Sequence, residues 1–328
     1  MIIPEKIEAG DEIRVIAPAR SMGILGGELR KIANKRLSKM GFIVTFGKNV
    51  NEVDLFLSSS IQSRVDDIHQ AFSDKKVKGI LTVIGGFNSN QLLDYLDWEL
   101  IAKNPKVFCG YSDITILNNA IYAKTGLVTY SGPHYSSFGQ KLYFDYSLDY
   151  FTKCCLKTDA FNVEPSREWS DDSWYSNQEE RELVNNKGFL VINKGRAEGT
   201  IIGANLSSFG LLRGTQYFPS LKETILFIED DACGAGTDIV EFDRNLQSII
   251  HLPEFIGVKG IVIGRFQKAA KMTDELLIQI IKAKKELKNI PVISGVDFGH
   301  TDPKITIPIG GIANFQTNRE PMLQILKH

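Results

Sequence analysis

The sequence predicts an α/β protein, with a parallel sheet covered by helices in its first half and a second α/β domain, richer in strand, after it. Three observations carry this expectation. From Ile13 to Pro133, short β-branched runs alternate with segments of helical periodicity. Those strands are apolar along their length rather than alternating, as strands buried on both faces are. Between about Phe151 and Lys187 the rhythm breaks, and strands predominate after Gly188.

Taken in order, Ile13–Ala17 (IRVIA) reads as a strand. Leu29–Met40 carries apolar residues at helical spacing until Gly41 ends it. Phe42–Phe46 is a second strand. Ser63–Phe72 is a helix with Val65, Ile68, Ala71 and Phe72 on one face, and Gly79–Ile84 is a strand running into Gly85-Gly86. A helix follows from about Ser89 to Leu96. Val107–Cys109 is a strand leading through Tyr111-Ser112-Asp113 into a helix over Ile114–Lys124, and strand Leu127–Tyr130 is closed by Ser131-Gly132-Pro133. Ser166–Glu182 (SREWSDDSWYSNQEERE) is polar and acid-rich yet carries Trp169, Trp174 and Tyr175. It reads either as a solvated linker or as a substrate-covering loop with stacking surfaces. Beyond it, Phe189–Ile192, Glu198–Ile202, Thr224–Ile228 and Gly260–Gly264 read as strands. Ala204–Leu212, Asp238–Ile250 and Thr273–Leu287 read as helices, and Pro291–Phe315 as short strands broken by Gly and Pro. The expected organisation is an N-terminal α/β domain over 1–150, a linker and covering loop over 151–187, and a C-terminal domain over 188–328.

Composition narrows the function classes. A chain of 328 residues, 43% hydrophobic and 23% charged, can bury a sizeable core. The formal net charge of −1 offers no basic excess for a nucleic-acid backbone. No stretch approaches the ~18 apolar residues of a membrane helix, and the acid-containing N-terminus lacks the apolar region of a signal peptide. The expectation is a cytoplasmic protein with no nucleic-acid or membrane partner. Cys109, Cys154, Cys155 and Cys233 show neither a CxxC motif nor metal-ligand spacing, and are read as reduced thiols.

Open α/β sheets hold ligands at the carboxyl ends of their strands, and three features fall there. Ser112 sits between a strand and a helix; it is either an ordinary helix cap or a nucleophile on a sharp turn, with the Asp113 N–H directed at an oxyanion. Gly85-Gly86 follows another strand, and allows either a tight turn or a close backbone approach that supplies a second oxyanion donor. Glu229-Asp230-Asp231 ends a third strand, and His300 lies in the Gly-flanked loop Gly295–Pro303. Among the other histidines, His69, His251 and His328 lie on a helix, at a helix end and at the terminus, while His134 could also line a cleft. Ser112, His300 and Glu229 supply one nucleophile, one base and one orienting carboxylate. Gly234-Ala235-Gly236 lacks the third glycine and the later acid of a dinucleotide site. A rival reading, a non-catalytic peptide- or nucleotide-binding module, would use the same cleft without the chemistry.

Ile84-Gly85-Gly86-Phe87-Asn88-Ser89, Gly110-Tyr111-Ser112-Asp113, Gly203-Ala204-Asn205-Leu206, Phe227-Ile228-Glu229-Asp230 and Gly299-His300-Thr301 occur in this order. Together they resemble the LD-carboxypeptidase family of serine peptidases, which includes the microcin C self-immunity proteins, over nearly the whole chain. The resemblance implies a flavodoxin-like N-terminal domain, a β-rich C-terminal α/β domain, an active site in the cleft between them, no metal or organic cofactor, and a homodimer. It implies Ser112 as nucleophile, His300 as general base and acid, Glu229 as the orienting carboxylate, backbone oxyanion donors at Gly86 and Asp113, and a substrate contact at Asn205. Two substrates follow from it. One is a murein tetrapeptide losing its terminal D-alanine from an L-centre. The other is a peptidyl or aminoacyl group joined to a nucleotide-like moiety. The tryptophans of Ser166–Glu182 bring the chain nearer the microcin-immunity branch, with Trp174 and then Trp169 as candidates to stack on the base. Position 233, however, is Cys where that branch implies a basic residue for phosphate recognition.

Overall fold

Apolar runs separated by helix-length segments can pair only in parallel, because each connection must cross the sheet. In the computed structural model, which describes residues 1–232, 236–318 and 320–328, the first half does this with β1 (Glu12–Ile16), β2 (Ile43–Phe46), β3 (Val77–Thr82), β4 (Val107–Cys109) and β5 (Thr129–Ser131). Their order is β2-β1-β3-β4-β5, with every neighbouring pair parallel, which is the flavodoxin-like winding. Helices Gly27–Lys39, Ile61–Ser73 and Thr115–Thr125 form the main crossings. Cys233, Gly234, Ala235 and Arg319 lie outside the described residues, so the readings at Cys233 and across Gly234-Ala235-Gly236 are not addressed by the fold.

The second half builds β6 (Phe161–Val163), β7 (Glu168–Trp169), β8 (Val184–Asn185), β9 (Leu190–Asn193), β10 (Arg196–Asn205), β11 (Thr224–Glu229), β12 (Val258–Gly264), β13 (Val292–Val296), β14 (Ile307–Ile309), β15 (Ile312–Gln316) and β16 (Met322–Lys327). Among the described residues the larger sheet has eight strands in the order β6-β16-β15-β10-β11-β12-β13-β9. Its centre, β10 to β13, is parallel, and its flanks are antiparallel. β7, in the tryptophan-bearing segment, and β8, just beyond it, form a separate antiparallel ribbon. β14 leaves the larger sheet and pairs antiparallel with β5, so the first sheet takes its sixth strand from the far end of the chain.

Several elements differ from the sequence expectation. A helix over Asp145–Leu156 was not anticipated, and the boundary drawn at 150 falls inside it. Its aromatic residues, cysteines and β-branched Thr152 are weak helix formers, but Tyr150, Phe151, Cys154 and Cys155 are buried, and packing overrides propensity. The helix expected over Ala204–Leu212 is only Leu206–Gly210, because β10 continues to Asn205. The helix from Thr273 ends at Ala283, and β16 was not foreseen.

One apolar core spans both sheets, joining Ile16, Phe72, Phe108, Ile114 and Leu117 to Ile202, Leu206, Phe209, Leu226 and Ile228. Where the halves meet, buried Asn119 pairs with the β10 backbone in both directions. Its Nδ2 donates to Gly203 O at 2.8 Å, and its Oδ1 accepts from Gly203 N at 3.1 Å. A buried amide satisfied on both sides fixes the register of one half on the other, because any slip leaves polar groups unpaired. Among the described residues no helix is long and apolar enough to cross a membrane, and Cys109, Cys154 and Cys155 are buried and unbridged.

Candidate active site

β4 turns into helix Thr115–Thr125 through Gly110-Tyr111 and the short 3-10 turn Ser112–Ile114. The turn is tight enough to hold Ser112 at φ +63°, the left-handed region that an L-residue enters at a cost of about 1–2 kcal/mol. Gly85 lies directly against it: a Cβ there would fall 2.8 Å from Ser112 Cβ and 2.9 Å from its Oγ. The carboxyl ends of β3 and β4 therefore meet around the serine hydroxyl.

The other half supplies the partners. His300 Nε2 is 3.0 Å from Ser112 Oγ, and His300 Nδ1 is 2.9 Å from Glu229 Oε2 at the end of β11. Gly299 makes the second contact possible. It has φ +99°, and a Cβ on it would lie 2.5 Å from Glu229 Oε2, where the carboxylate now sits. The structure thus brings Ser112, His300 and Glu229 into one hydrogen-bond chain. Burial opposes protonation of His300, but the Glu229 charge and hydrogen bond, with the Asp231 charge behind them, outweigh it and raise its pKa above the ordinary value, against a smaller opposing effect from Lys304.

Asp113 ties the two turns together. Its carboxylate accepts from Asn88 N at 3.1 Å and Ser89 N at 2.9 Å, and its carbonyl accepts from Ser89 Oγ at 2.8 Å. Burial pushes this carboxyl up, while the Ser89 and Asn88 bonds pull it down. The Gly86 and Asp113 backbones are held in register by a side chain that serves as the clasp.

The remaining sequence candidates divide. Asn205 caps helix Leu206–Gly210 by accepting from Ser208 N at 3.0 Å, and donates to Asp231 Oδ1 at 3.1 Å, so its amide is engaged within the protein. Trp174 lines a cavity of about 820 Å³ with Tyr175, Arg20, Leu25, Ile84 and Ser136, and Ile84 adjoins the Gly85 that touches Ser112. Trp169 lies instead in the β7–β8 ribbon and lines a different cavity, with Arg265 Cζ 5.0 Å and Lys268 Nζ 5.8 Å from its ring centre. The two candidates named from the sequence, Trp174 and then Trp169, thus line different cavities, and an arginine and a lysine of the second half stand over the Trp169 ring.

The tryptophan-bearing segment is docked on both halves. Gln178 Nε2 donates to Gly139 O at 3.0 Å and Glu179 pairs with Lys141 on one side. On the other, Arg181, 1% exposed, pairs with Asp172 at 2.8 Å and Asp302 at 3.5 Å. Asp302 also pairs with Lys304, whose Nζ stands 5.1 Å over the Tyr111 ring. Sequence reasoning passed over Tyr111, Arg181, Lys304 and Arg20. Arg20 follows β1 on the carboxyl side of the sheet, but its position alone does not tell a free guanidinium from a paired one.

A buried carboxylate, a histidine and a serine in one hydrogen-bond chain at the strand ends of an α/β fold are the geometry of a serine hydrolase. Residues 13–132 match the LD-carboxypeptidase N-terminal domain and residues 198–315 the LD-carboxypeptidase C-terminal domain. Among curated relatives, YocD of Bacillus subtilis (strain 168) is 54% identical over 311 residues, 95% of each chain. The microcin C7 self-immunity protein MccF of Escherichia coli is 32% identical over 290 residues, 84% of this chain and 81% of its own. The murein tetrapeptide carboxypeptidase of Pseudomonas aeruginosa is 24% identical over 312 residues, 94% of each. Among solved structures, an MccF-like protein from Bacillus anthracis str. Ames superposes with a TM-score of 0.99 at 51% identity, covering 100% of both chains. MccF in complex with aspartyl sulfamoyl adenosine gives 0.88 at 28%, covering 100% of this chain and 99% of its own. The chain belongs to the LD-carboxypeptidase family of serine peptidases, and is a hydrolase of the carboxypeptidase class.

Proposed function

We propose that this hydrolase cleaves the amide-type bond joining a peptidyl or aminoacyl group to a nucleotide-like moiety, with Ser112 as nucleophile, His300 as general base and then acid, and Glu229 as its orienting carboxylate. The observation that carries the reading is the hydrogen-bond chain Ser112–His300–Glu229, with the serine on a left-handed turn.

The chemistry follows from those distances. Ser112 Oγ attacks the carbonyl carbon while His300 Nε2 takes its proton, and Glu229 stabilises the imidazolium through Nδ1–H. The negative charge that forms on the carbonyl oxygen is met by the Gly86 and Asp113 N–H groups, a stabilisation worth about 3 kcal/mol per donor in comparable sites. His300 then returns the proton to the leaving nitrogen, and water completes the cycle by the same route. Trp174 and Tyr175 offer aromatic faces to a base in the adjoining cavity. Asn205 reaches substrate in this scheme by exchanging its Asp231 bond. The reading extends to a homodimer acting in the cytoplasm, which light scattering and cell fractionation test.

A second reading, release of D-alanine from a murein tetrapeptide, is favoured by Cys at position 233 in place of a basic residue. Hydrolysis of murein tetrapeptide and of aspartyl sulfamoyl adenosine, assayed side by side, separates the two. Ser112→Ala should lower turnover of the true substrate by about 10⁴–10⁶-fold with an unaltered circular-dichroism spectrum. Retention of full activity by that variant would remove the serine mechanism.

A further inference from the structure

We propose that Arg20 is the anion-recognition residue of this site, its guanidinium binding the acidic group that the substrate carries next to the leaving nitrogen. The proposal rests on the serine-hydrolase reading above.

Arg20 is built into the reactive turn. Its backbone N–H donates to Gly85 O at 3.3 Å. A Cβ on Gly86 would fall 3.2 Å from Arg20 N and 3.3 Å from its Cγ, so the arginine stem runs along the turn that carries the proposed oxyanion donor. The guanidinium carbon stands 4.8 Å from the centre of the Phe87 ring, which orients the planar fork without using its N–H groups. Its Nε is buried and has no hydrogen-bond partner among the described residues. Neighbouring Arg64 shows the contrast, since it spends its donors on Asn88 O at 3.0 Å, Gln91 Oε1 at 2.8 Å and Pro18 O at 3.3 Å. A half-buried arginine with unused donors beside a reactive serine is an exception to the rule that buried polar groups are paired.

The sign of the ligand comes from the cationic fork itself, and few acids beside it are free to compete. Arg20 borders both the cavity of about 820 Å³ that holds Trp174 and a second of about 470 Å³ lined by Phe56, Phe87, Arg64 and Gln91. In the first, Lys141 and Glu179 neutralise each other, which leaves Glu28 as the remaining acid. In the second, Asp54 Oδ1 is occupied by Phe56 N at 2.8 Å and Ser58 N at 2.9 Å. Arginine is the side chain whose fork matches carboxylates and tetrahedral oxyanions. Both candidate substrates carry anionic oxygens close to the leaving nitrogen: the carboxylate of a terminal alanine is one carbon from it, and an acyl sulfamate, on losing its N–H proton, spreads the charge onto the sulfonyl oxygens of the sulfur bonded to it.

The test compares charged and neutral members of two substrate pairs. The first pair is the murein tetrapeptide and its C-terminal amide. The second is aspartyl sulfamoyl adenosine and the aspartyl amide of 5′-amino-5′-deoxyadenosine, which lacks the sulfamoyl group. In one pair, Arg20→Met should shrink the preference in kcat/KM for the charged member about 10- to 100-fold, the size expected for a charge-assisted hydrogen bond. Arg20→Lys, which keeps the charge without the fork, should fall between and carries the test if the methionine variant folds poorly. The pair that responds identifies the source of the anion. Equal losses on charged and neutral members, or an unaltered preference in both pairs, overturn the proposal. Activity surviving in Ser112→Ala would instead overturn the hydrolase reading, so the two failures are distinct.

Discussion

At Ser112 the backbone is held in a conformation that alanine dislikes and glycine tolerates, and this separates stability from chemistry. Replacing serine by glycine relieves about 1–2 kcal/mol of left-handed strain and loses about 0.4–1 kcal/mol to the freer unfolded chain. Ser112→Gly should therefore melt above Ser112→Ala by roughly the difference, although neither can attack a carbonyl; equal melting temperatures would contradict the strain. His300 permits a second prediction. Its pKa is raised by Glu229 and Asp231 against burial and Lys304, so the neutral imidazole that the proposed base requires predominates only at a pH above the ordinary value of 6.5. The rising limb of kcat/KM should be centred above that pH. Asp231→Asn, which removes one raising charge, should move it down. For stability the sign is opposite: a raised histidine contributes fully below its unfolded pKa, and the contribution is lost as pH rises through the folded one.

Between residue and fold, the tryptophan-bearing segment behaves as a clasped element. The Arg181 side chain is buried between Asp172 and Asp302, and its removal strips Asp172 of its cation while Asp302 keeps Lys304, at a cost of about 3 kcal/mol. Arg181→Met should accelerate amide hydrogen exchange through residues 172–182, and unaltered protection there would refute the clasp. The sequence offered two readings of this segment, and its polarity alone could not choose. The choice lies in Gln178, Glu179 and Arg181 finding partners at Gly139, Lys141 and Asp302, all distant along the chain. The same applies to the two tryptophans. Both sit among polar neighbours in sequence, and only the position of Arg265 tells that one ring is covered. Strand ends and a glycine-flanked loop drew notice to Ser112, Glu229 and His300 but left Ser112 as cap or nucleophile; the ordered motifs of the resemblance grouped the three, and the fold brings them within hydrogen-bond reach. Arg20 was not singled out, because nothing local distinguishes an arginine with idle donors from one that is paired.

For the molecule as a whole, alternation of strand and helix was enough to predict the parallel first sheet, but not its last member. β14 follows β13 yet pairs with β5, and its short IPI run carries no signal of which sheet it joins. Of the apolar clusters, one runs across both sheets, and the two halves are therefore expected to unfold together. A fragment of residues 1–187 would lack β14 and expose the face of helix Thr115–Thr125 that packs on β10. It should show no cooperative thermal transition, whereas the full chain should unfold in one. Two independent transitions in the full chain would contradict this.

The pairing of distant segments also has a dimension in time. Ser112 and His300 are separated by 188 positions. At a synthesis rate of about 5–20 residues per second, the serine leaves the ribosome roughly 10–40 s before His300, its proposed base, is made. During that interval the turn carries a hydroxyl with no proton acceptor. With Ser112 and His300 in the proposed roles, a nascent hydrolase of this design would stay chemically silent towards its neighbours until its second sheet has been made.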